Sequence, residues 1–185
     1  PDIIVFAKGV ASGYAPLAGF IAADDLVDMF DNSNTRINTL FTYSEHPVSA
    51  AIGAKVQQIM QEEDLITKSA TNGEYLAEKL ESLREIPIVG DIRGMGSLRG
   101  IEIVANQETG DPLPASLNVA EDIQKHLFKN HILHYLGYWR DDDGAGAQLI
   151  LAPPFIINEQ EIDLLVETLG DVLSERASAY KQNWH

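Results

Sequence analysis

The apolar positions of the chain alternate between short runs typical of strands and longer stripes typical of helices. The four consecutive apolar residues Ile3–Phe6 predict a short strand buried on both faces, as in the sheets of α/β proteins. A second short strand is predicted over residues 17–23, where small and apolar residues dominate. Between the two strands lies a turn that starts at Lys8 and is rich in glycine, serine and proline.

Apolar residues at spacings of three and four predict amphipathic helices further along the chain. One helix begins at Pro47, because proline suits the first helical turn, where its missing N–H is not needed. A second helix follows the acidic residues 62–64, and a third covers residues 119–127. The last helix begins after Asn158, and Glu161 three residues further on completes the pattern of a capping box.

The pattern changes beyond Pro87. Residues 88–95 and 97–104 are rich in β-forming residues and are separated by glycine, which predicts a hairpin. Further strands are predicted over residues 132–139 and 148–152.

These elements predict an α/β protein in two parts. Residues 1–60 are expected to form the end of a larger α/β domain, and residues 61–185 a compact α+β domain with a small sheet under helices. The strand over residues 3–6 needs neighbours on both sides, and few other strands are available. We therefore expect the chain to be part of a longer protein.

The composition and net charge limit the kinds of molecule that this protein is expected to bind. With 45% hydrophobic and 22% charged residues among 185, the chain has an ordinary globular composition. Its formal net charge of −15 argues against nucleic acid and anionic membranes, because both surfaces would repel it. The absence of cysteine excludes disulfides and thiolate chemistry. No apolar run approaches the roughly 20 residues that cross a bilayer, and no signal peptide is visible, so we expect a cytoplasmic location.

Lys8 is the first candidate for chemistry, because it stands at the end of a predicted buried strand. A buried cation is unfavourable unless it is neutralised, paired or used. Burial favours the neutral amine, which is nucleophilic toward carbonyl groups. The alternative is a structural lysine whose charged end reaches the solvent.

Three stretches carry a resemblance to a known family. They are residues 1–19 (PDIIVFAKGVASGYAPLAG), residues 41–48 (FTYSEHPV) and residues 151–157 (LAPPFII). In this order they resemble the cofactor-lysine segment, the phosphate-binding turn and the C-terminal Pro-Pro segment of class III aminotransferases, which are fold-type I enzymes dependent on pyridoxal phosphate (PLP). The resemblance covers the C-terminal part of the family's chain. It implies that residues 1–60 end the PLP-binding large domain and that residues 61–185 form the small domain.

The resemblance also implies roles for three residues. Lys8 would form the internal aldimine with PLP, and its freed amine would move a proton from the substrate Cα to the cofactor C4′. Thr42 would hydrogen-bond the PLP phosphate in the neighbouring subunit's site, at a helix N-terminus that suits an anion. Arg140 would receive a substrate carboxylate with its planar guanidinium; alternatively, it pairs with the aspartates at 141–143. Glu45 departs from the family pattern, which usually has glycine there, and its carboxylate would repel a nearby phosphate unless it points away.

The implied function is PLP-dependent transamination. An amino group would move from an ω-amino acid, a diamine or an amine to a keto acid, in a homodimer with shared active sites. The pair His46 and Pro47 resembles the branch of the family that uses pyruvate. Two alternatives stay open: another fold-type I PLP enzyme such as an aminomutase, and a non-catalytic interaction domain in which Lys8 is inert.

Two further expectations concern what the chain lacks. The residues that hold the pyridine ring would precede Pro1, so we expect the 185-residue chain alone neither to hold PLP well nor to turn over. No metal site is expected, because the five histidines show no ligand spacing on a shared helix face.

Overall fold

The computed structural model describes residues 1–33, 41–140 and 145–183. The chain divides into two units, residues 1–65 and residues 66–185. The elements of the first unit are β1 (Ile3–Phe6), β2 (Gly19–Ala22), α1 (Asp24–Asn32) and α2 (Pro47–Glu62). From the unit boundary onward they are α3 (Leu65–Leu80), β3 (Val89–Met95), β4 (Leu98–Ile103), α4 (Val119–Lys129), β5 (Tyr135–Arg140), β6 (Ala145–Leu151) and α5 (Glu159–Asn183).

The first unit contains a two-stranded antiparallel ladder, in which Ile3 lies opposite Ala22 and Phe6 opposite Gly19. The expectation that β1 is buried on both faces is wrong for the described chain, since Ile3 is 54% exposed and Val5 is 78% exposed. A strand becomes buried only where other elements cover its faces. Within the described residues β1 pairs with β2 alone, so its apolar side chains remain accessible.

The second unit contains a four-stranded sheet in the order β3-β4-β6-β5, in which every neighbouring pair is antiparallel. The predicted hairpin is confirmed, because β3 and β4 pair across a turn at Gly96 and Ser97. Ile101 and Ile103 on β4 are buried, as is Leu149, the β6 partner of Ile101. Alternate residues of a strand share a face, so these side chains define the core face of the sheet.

The core of the second unit is built from this sheet and from α3, α4 and α5. Each helix contributes two fully buried side chains at a spacing of four, which places the pair on one helix face. These pairs are Leu76 and Leu80 on α3, Ile123 and Leu127 on α4, and Leu169 and Leu173 on α5. The helical periodicity predicted from the sequence is therefore confirmed for this unit.

The start of α5 has the predicted capping box. The backbone N–H of Glu161 donates to Oδ1 of Asn158 at 3.0 Å, and the backbone N–H of Asn158 donates to Oε2 of Glu161 at 3.0 Å. The two bonds satisfy backbone donors that a helix start leaves free. Although α5 runs for 25 residues, neither it nor any other helix of the described residues is apolar enough to cross a membrane.

Candidate active site

Lys8 is the first residue of a single 3-10 turn, Lys8–Ala11, that follows β1. Its backbone lies in the left-handed region with φ of 50°, and Ser12 closes the turn with φ of 49°. For a residue with a β-carbon this conformation is unfavourable by roughly 1–2 kcal/mol. Residues held in such conformations cluster at functional sites. Lys8 is exposed and has no hydrogen-bond or ion-pair partner within the described residues, so its amine is accessible to a ligand.

Helix α2 supports the turn that carries Lys8. The side-chain amide of Gln57 donates to the backbone carbonyl of Val10 at 3.1 Å. Gly53 lies so close to Leu17 that a β-carbon built on it would be 2.4 Å from Leu17 Cδ2. The spacing of four places Gly53 and Gln57 on one face of α2, toward the turn. The sequence pattern did not indicate Gln57 as a residue of the site. Its spacing of four from Gly53 is the one feature of the sequence that could have indicated it.

Thr42 lies in a turn that precedes α2. The backbone N–H of Phe41 donates to the Ser44 hydroxyl oxygen at 3.1 Å, and the backbone N–H of Ser44 donates to the carbonyl of Phe41 at 2.9 Å. These two bonds close the turn around Thr42, which is exposed. Its hydroxyl is therefore accessible next to the start of a 16-residue helix.

His46 caps α2. Its Nδ1 accepts a hydrogen bond from the backbone N–H of Ser49 at 3.4 Å, and Pro47 occupies the first helical turn. Asparagine is also a strong helix N-cap. An asparagine at this position could cap α2 in the same way.

Glu45 has a backbone conformation that favours glycine. Its φ is 58°, in the left-handed region, which glycine adopts without the steric cost of a β-carbon. The family's usual glycine at this position would take this conformation freely. In this chain a glutamate, with its charged side chain, stands at the position of that glycine.

The Lys8 turn and the turn before α2 line a common open cleft of about 1370 Å³ within the first unit. Lys8, Tyr43, Glu45 and His46 are among the lining residues. Thr42 is not among them, although both of its neighbours are. The fold thus brings Lys8 and the predicted phosphate-binding turn to the same cleft.

Arg140 is the last residue of β5 and lies opposite Ala145 of β6. The position of its side chain lies outside the described part of the structure, as do the aspartates at 141–143 that were the alternative partners. A role of Arg140 in binding a substrate carboxylate stays a prediction.

Comparison with protein families defines the class. The model of the family described as "Aminotransferase class-III" matches residues 1–173. The chain therefore belongs to the class III aminotransferases, a family of PLP-dependent enzymes. The resemblance found in the three sequence stretches is confirmed.

Individual relatives agree with this family. The putrescine–pyruvate aminotransferase of Pseudomonas aeruginosa is 31% identical over 97% of this chain and 37% of its own length. The crystal structure of a transaminase from the marine bacterium Virgibacillus matches with a TM-score of 0.89 and 32% identity, over 97% of this chain and 40% of that chain. An (S)-enantioselective omega-transaminase from Thermomicrobium roseum matches with a TM-score of 0.82 and 31% identity, over 95% of this chain and 37% of that chain.

The structural matches confirm the predicted α/β fold of a fold-type I PLP-dependent transaminase. The chain spans about two fifths of the length of the curated relatives that it matches.

The residues of the cleft fit PLP. The cofactor needs an amine for its aldehyde carbon and hydrogen-bond donors for its phosphate. Lys8 offers an exposed amine without a partner among the described residues. The start of α2 offers the positive end of a helix dipole, which suits the phosphate.

Proposed function

We propose that the protein is a PLP-dependent transaminase that moves an amino group from an ω-amino acid, a diamine or an amine to a keto acid, with pyruvate as the acceptor. The observation that carries the proposal is the exposed, left-handed Lys8 in a cleft that also contains the N-terminal turn of α2. Family membership and the name of the Pseudomonas aeruginosa relative support the substrate class.

The proposed chemistry divides between the cofactor and Lys8. When bound, PLP supplies an electron-poor ring that takes up the electron pair of the broken substrate Cα–H bond. Lys8 holds the cofactor before the amine substrate arrives. Its freed amine then accepts the proton from the substrate Cα and delivers it to the cofactor C4′.

The proposed phosphate site uses Thr42 and the start of α2. Thr42 has an exposed side chain, and it is proposed to serve the neighbouring subunit of a homodimer. Arg140 is proposed to receive the carboxylate of substrates that carry one. In this proposal residues 1–60 complete the PLP-binding domain and residues 61–185 form the small domain. A cytoplasmic location stays a prediction from the sequence.

The test is a covalent label on the full-length protein. It is incubated with PLP, reduced with borohydride and digested, and mass spectrometry locates the pyridoxyl group. We expect the label on Lys8, and we expect the substitution Lys8→Arg to abolish both label and activity. Lys55→Arg is the matched control, because Lys55 lies on α2 and its amine donates to Gln58 of the same helix at 3.2 Å. A label elsewhere, or an active Lys8→Arg protein, would overturn the proposal.

A second assay tests the reaction type. Formation of alanine from pyruvate, coupled to consumption of an amine, is expected of a transaminase. An aminomutase moves nitrogen within one molecule and needs no keto acid. If Lys8 is labelled but no keto acid accepts the amino group, the cofactor assignment stands and the transaminase assignment fails.

A further inference from the structure

The aromatic ring of Phe6 lies directly over Gly19. The two residues are opposite each other in the β1–β2 ladder and form its last pair before the Lys8 turn. A β-carbon built on Gly19 would be 2.6 Å from Cζ of Phe6 and 3.1 Å from Cε2 of the same ring. Side chains of directly opposed residues share a face of a ladder, so the ring occupies the space that a side chain on residue 19 would need. The ring takes this position only because residue 19 is glycine.

Lys8 lies between this pair and a second attachment of the chain. On its N-terminal side Ala7 is extended, with φ of −160° and ψ of −170°, and connects Lys8 to Phe6. On its C-terminal side the carbonyl of Val10 accepts the hydrogen bond from the Gln57 side chain of α2 at 3.1 Å. The segment around Lys8 is therefore held to β2 on one side and to α2 on the other.

The backbone conformation of Lys8 explains why both attachments matter. Its φ of 50° lies in the left-handed region, which is unfavourable for a residue with a β-carbon. Such a conformation persists only where the surrounding structure holds the chain in place. If the ring of Phe6 left Gly19, the end of β1 would be released and the backbone of Lys8 would relax. The position of the Lys8 amine would change with it.

We propose that Phe6, packed on Gly19, is a positioning residue that keeps the Lys8 amine in the place where it captures the cofactor. The inference rests on the proposed function, since Lys8 holds the cofactor in that proposal. Phe6 acts through Lys8, because it is not among the described residues that line the cleft. Loss of the ring should therefore weaken the covalent capture of PLP and leave its non-covalent binding intact.

The experiment compares two ligands on the full-length protein freed of cofactor, with binding followed by calorimetry. PLP has an aldehyde whose carbon forms a C=N bond with the Lys8 amine as one water molecule leaves. Pyridoxine 5′-phosphate has an alcohol in that place and binds without this bond. We expect Gly19→Ala and Phe6→Ala each to weaken PLP binding about tenfold and to change pyridoxine 5′-phosphate binding by less than about twofold. Equal weakening of both ligands in Phe6→Ala would overturn the proposal.

The double variant separates displacement of the ring from a direct effect of the added methyl group. Gly19 lines the cleft, so a methyl group there can also act on the cofactor itself. If it acts by displacing the ring, Phe6→Ala/Gly19→Ala should bind PLP as Phe6→Ala does. A double variant in which the two losses multiply would contradict the proposal. Phe6→Leu, a milder change that keeps an apolar side chain, should lie between the wild type and Phe6→Ala.

Gly100→Ala is the matched control. It adds the same methyl group to a strand glycine whose nearest neighbour would be the Arg93 carbonyl oxygen at 3.8 Å, so both ligands should bind as in the wild type. Borohydride labelling of the wild type distinguishes the two proposals. Without a label on Lys8 the proposed function fails. A labelled wild type, together with unchanged PLP binding in Phe6→Ala, would overturn the role of Phe6 alone.

Discussion

The side chain of Gln57 and the backbone of Val10 join the two halves of the candidate site. Gln57 lies on α2, the helix that starts at the predicted phosphate-binding turn, and Val10 lies in the turn that begins with Lys8. The amide nitrogen of Gln57 donates to the carbonyl of Val10 at 3.1 Å across 47 positions of sequence. This hydrogen bond thus connects helix α2 to the turn that carries Lys8.

Replacing Gln57 by leucine is expected to loosen the turn that carries Lys8. The loss of the bond should lower the free energy of unfolding by about 1 kcal/mol. It should also reduce the yield of borohydride labelling at Lys8 at limiting PLP, because the amine is then less well positioned. Both are measured on the full-length protein, by denaturant unfolding and by mass spectrometry.

Gln58→Leu is the control for this prediction. Gln58 is the next residue on α2, and its side chain bonds only to Lys55 and Glu62 of the same helix among the described contacts. It should change stability by less than about 0.5 kcal/mol and leave Lys8 labelling unchanged. Equal labelling in the two variants would show that the bond to Val10 does not position Lys8.

Gly73 of α3 cannot accept a side chain. A β-carbon built on it would be 2.3 Å from the carbonyl carbon of Gly96, at the tip of the β3–β4 hairpin. Since the neighbour is backbone, Gly73→Ala is expected to lower the free energy of unfolding by about 1–3 kcal/mol. Gly100→Ala serves as the control, because its nearest neighbour would be the Arg93 carbonyl oxygen at 3.8 Å, an ordinary contact. Equal unfolding midpoints for the two variants would contradict this packing.

The cap on α2 predicts a difference between two substitutions of one residue. His46→Ala removes the acceptor for the Ser49 N–H and is expected to destabilise the protein by about 1 kcal/mol. His46→Asn keeps a capping side chain and should stay within about 0.5 kcal/mol of the wild type. Thermal unfolding measures both. A His46→Asn protein as unstable as His46→Ala would show that the histidine contributes something other than a cap.

His134, just before β5, predicts a pH dependence of stability. Its side chain is buried, and within the described residues neither ring nitrogen has a hydrogen-bond partner. Burial lowers the pKa of His134 below its ordinary value of 6.5, because the charged imidazolium loses its hydration. Below that value the unfolded chain therefore binds a proton that the folded protein does not.

The sign of the effect follows from this difference in bound protons. The stabilising contribution of the neutral ring is fully present above about pH 6.5 and is lost as the pH falls toward the lowered pKa of the folded state. The slope from this group is at most about 1.4 kcal/mol per pH unit. His134→Phe should flatten the decline between pH 7 and pH 5 in denaturant unfolding, whereas the same curve for the exposed His131→Asn should follow the wild type. Parallel curves for His134→Phe and the wild type would contradict the prediction.

Local sequence patterns determined most of the secondary structure. Asn158 and Glu161 specify a helix start, because the capping box is made by side chains three residues apart and needs no other part of the chain. The same holds for Pro47 at the start of α2 and for the apolar pairs at a spacing of four that face the core. The amino-acid sequence around Lys8 indicated the family for the same reason, because the residues of this segment are contiguous in the chain.

Only the tertiary structure decided the features that depend on distant residues. The exposure of β1 depends on which other elements cover its faces, and the apolar residues of β1 do not determine that by themselves. The insertion of β6 between β4 and β5 depends on pairing between strands far apart in sequence. The left-handed backbone of Glu45 is imposed by the turn and the helix on either side of it, because glutamate has no preference for that conformation. The bond from Gln57 to Val10 exists only because folding brings α2 against the Lys8 turn.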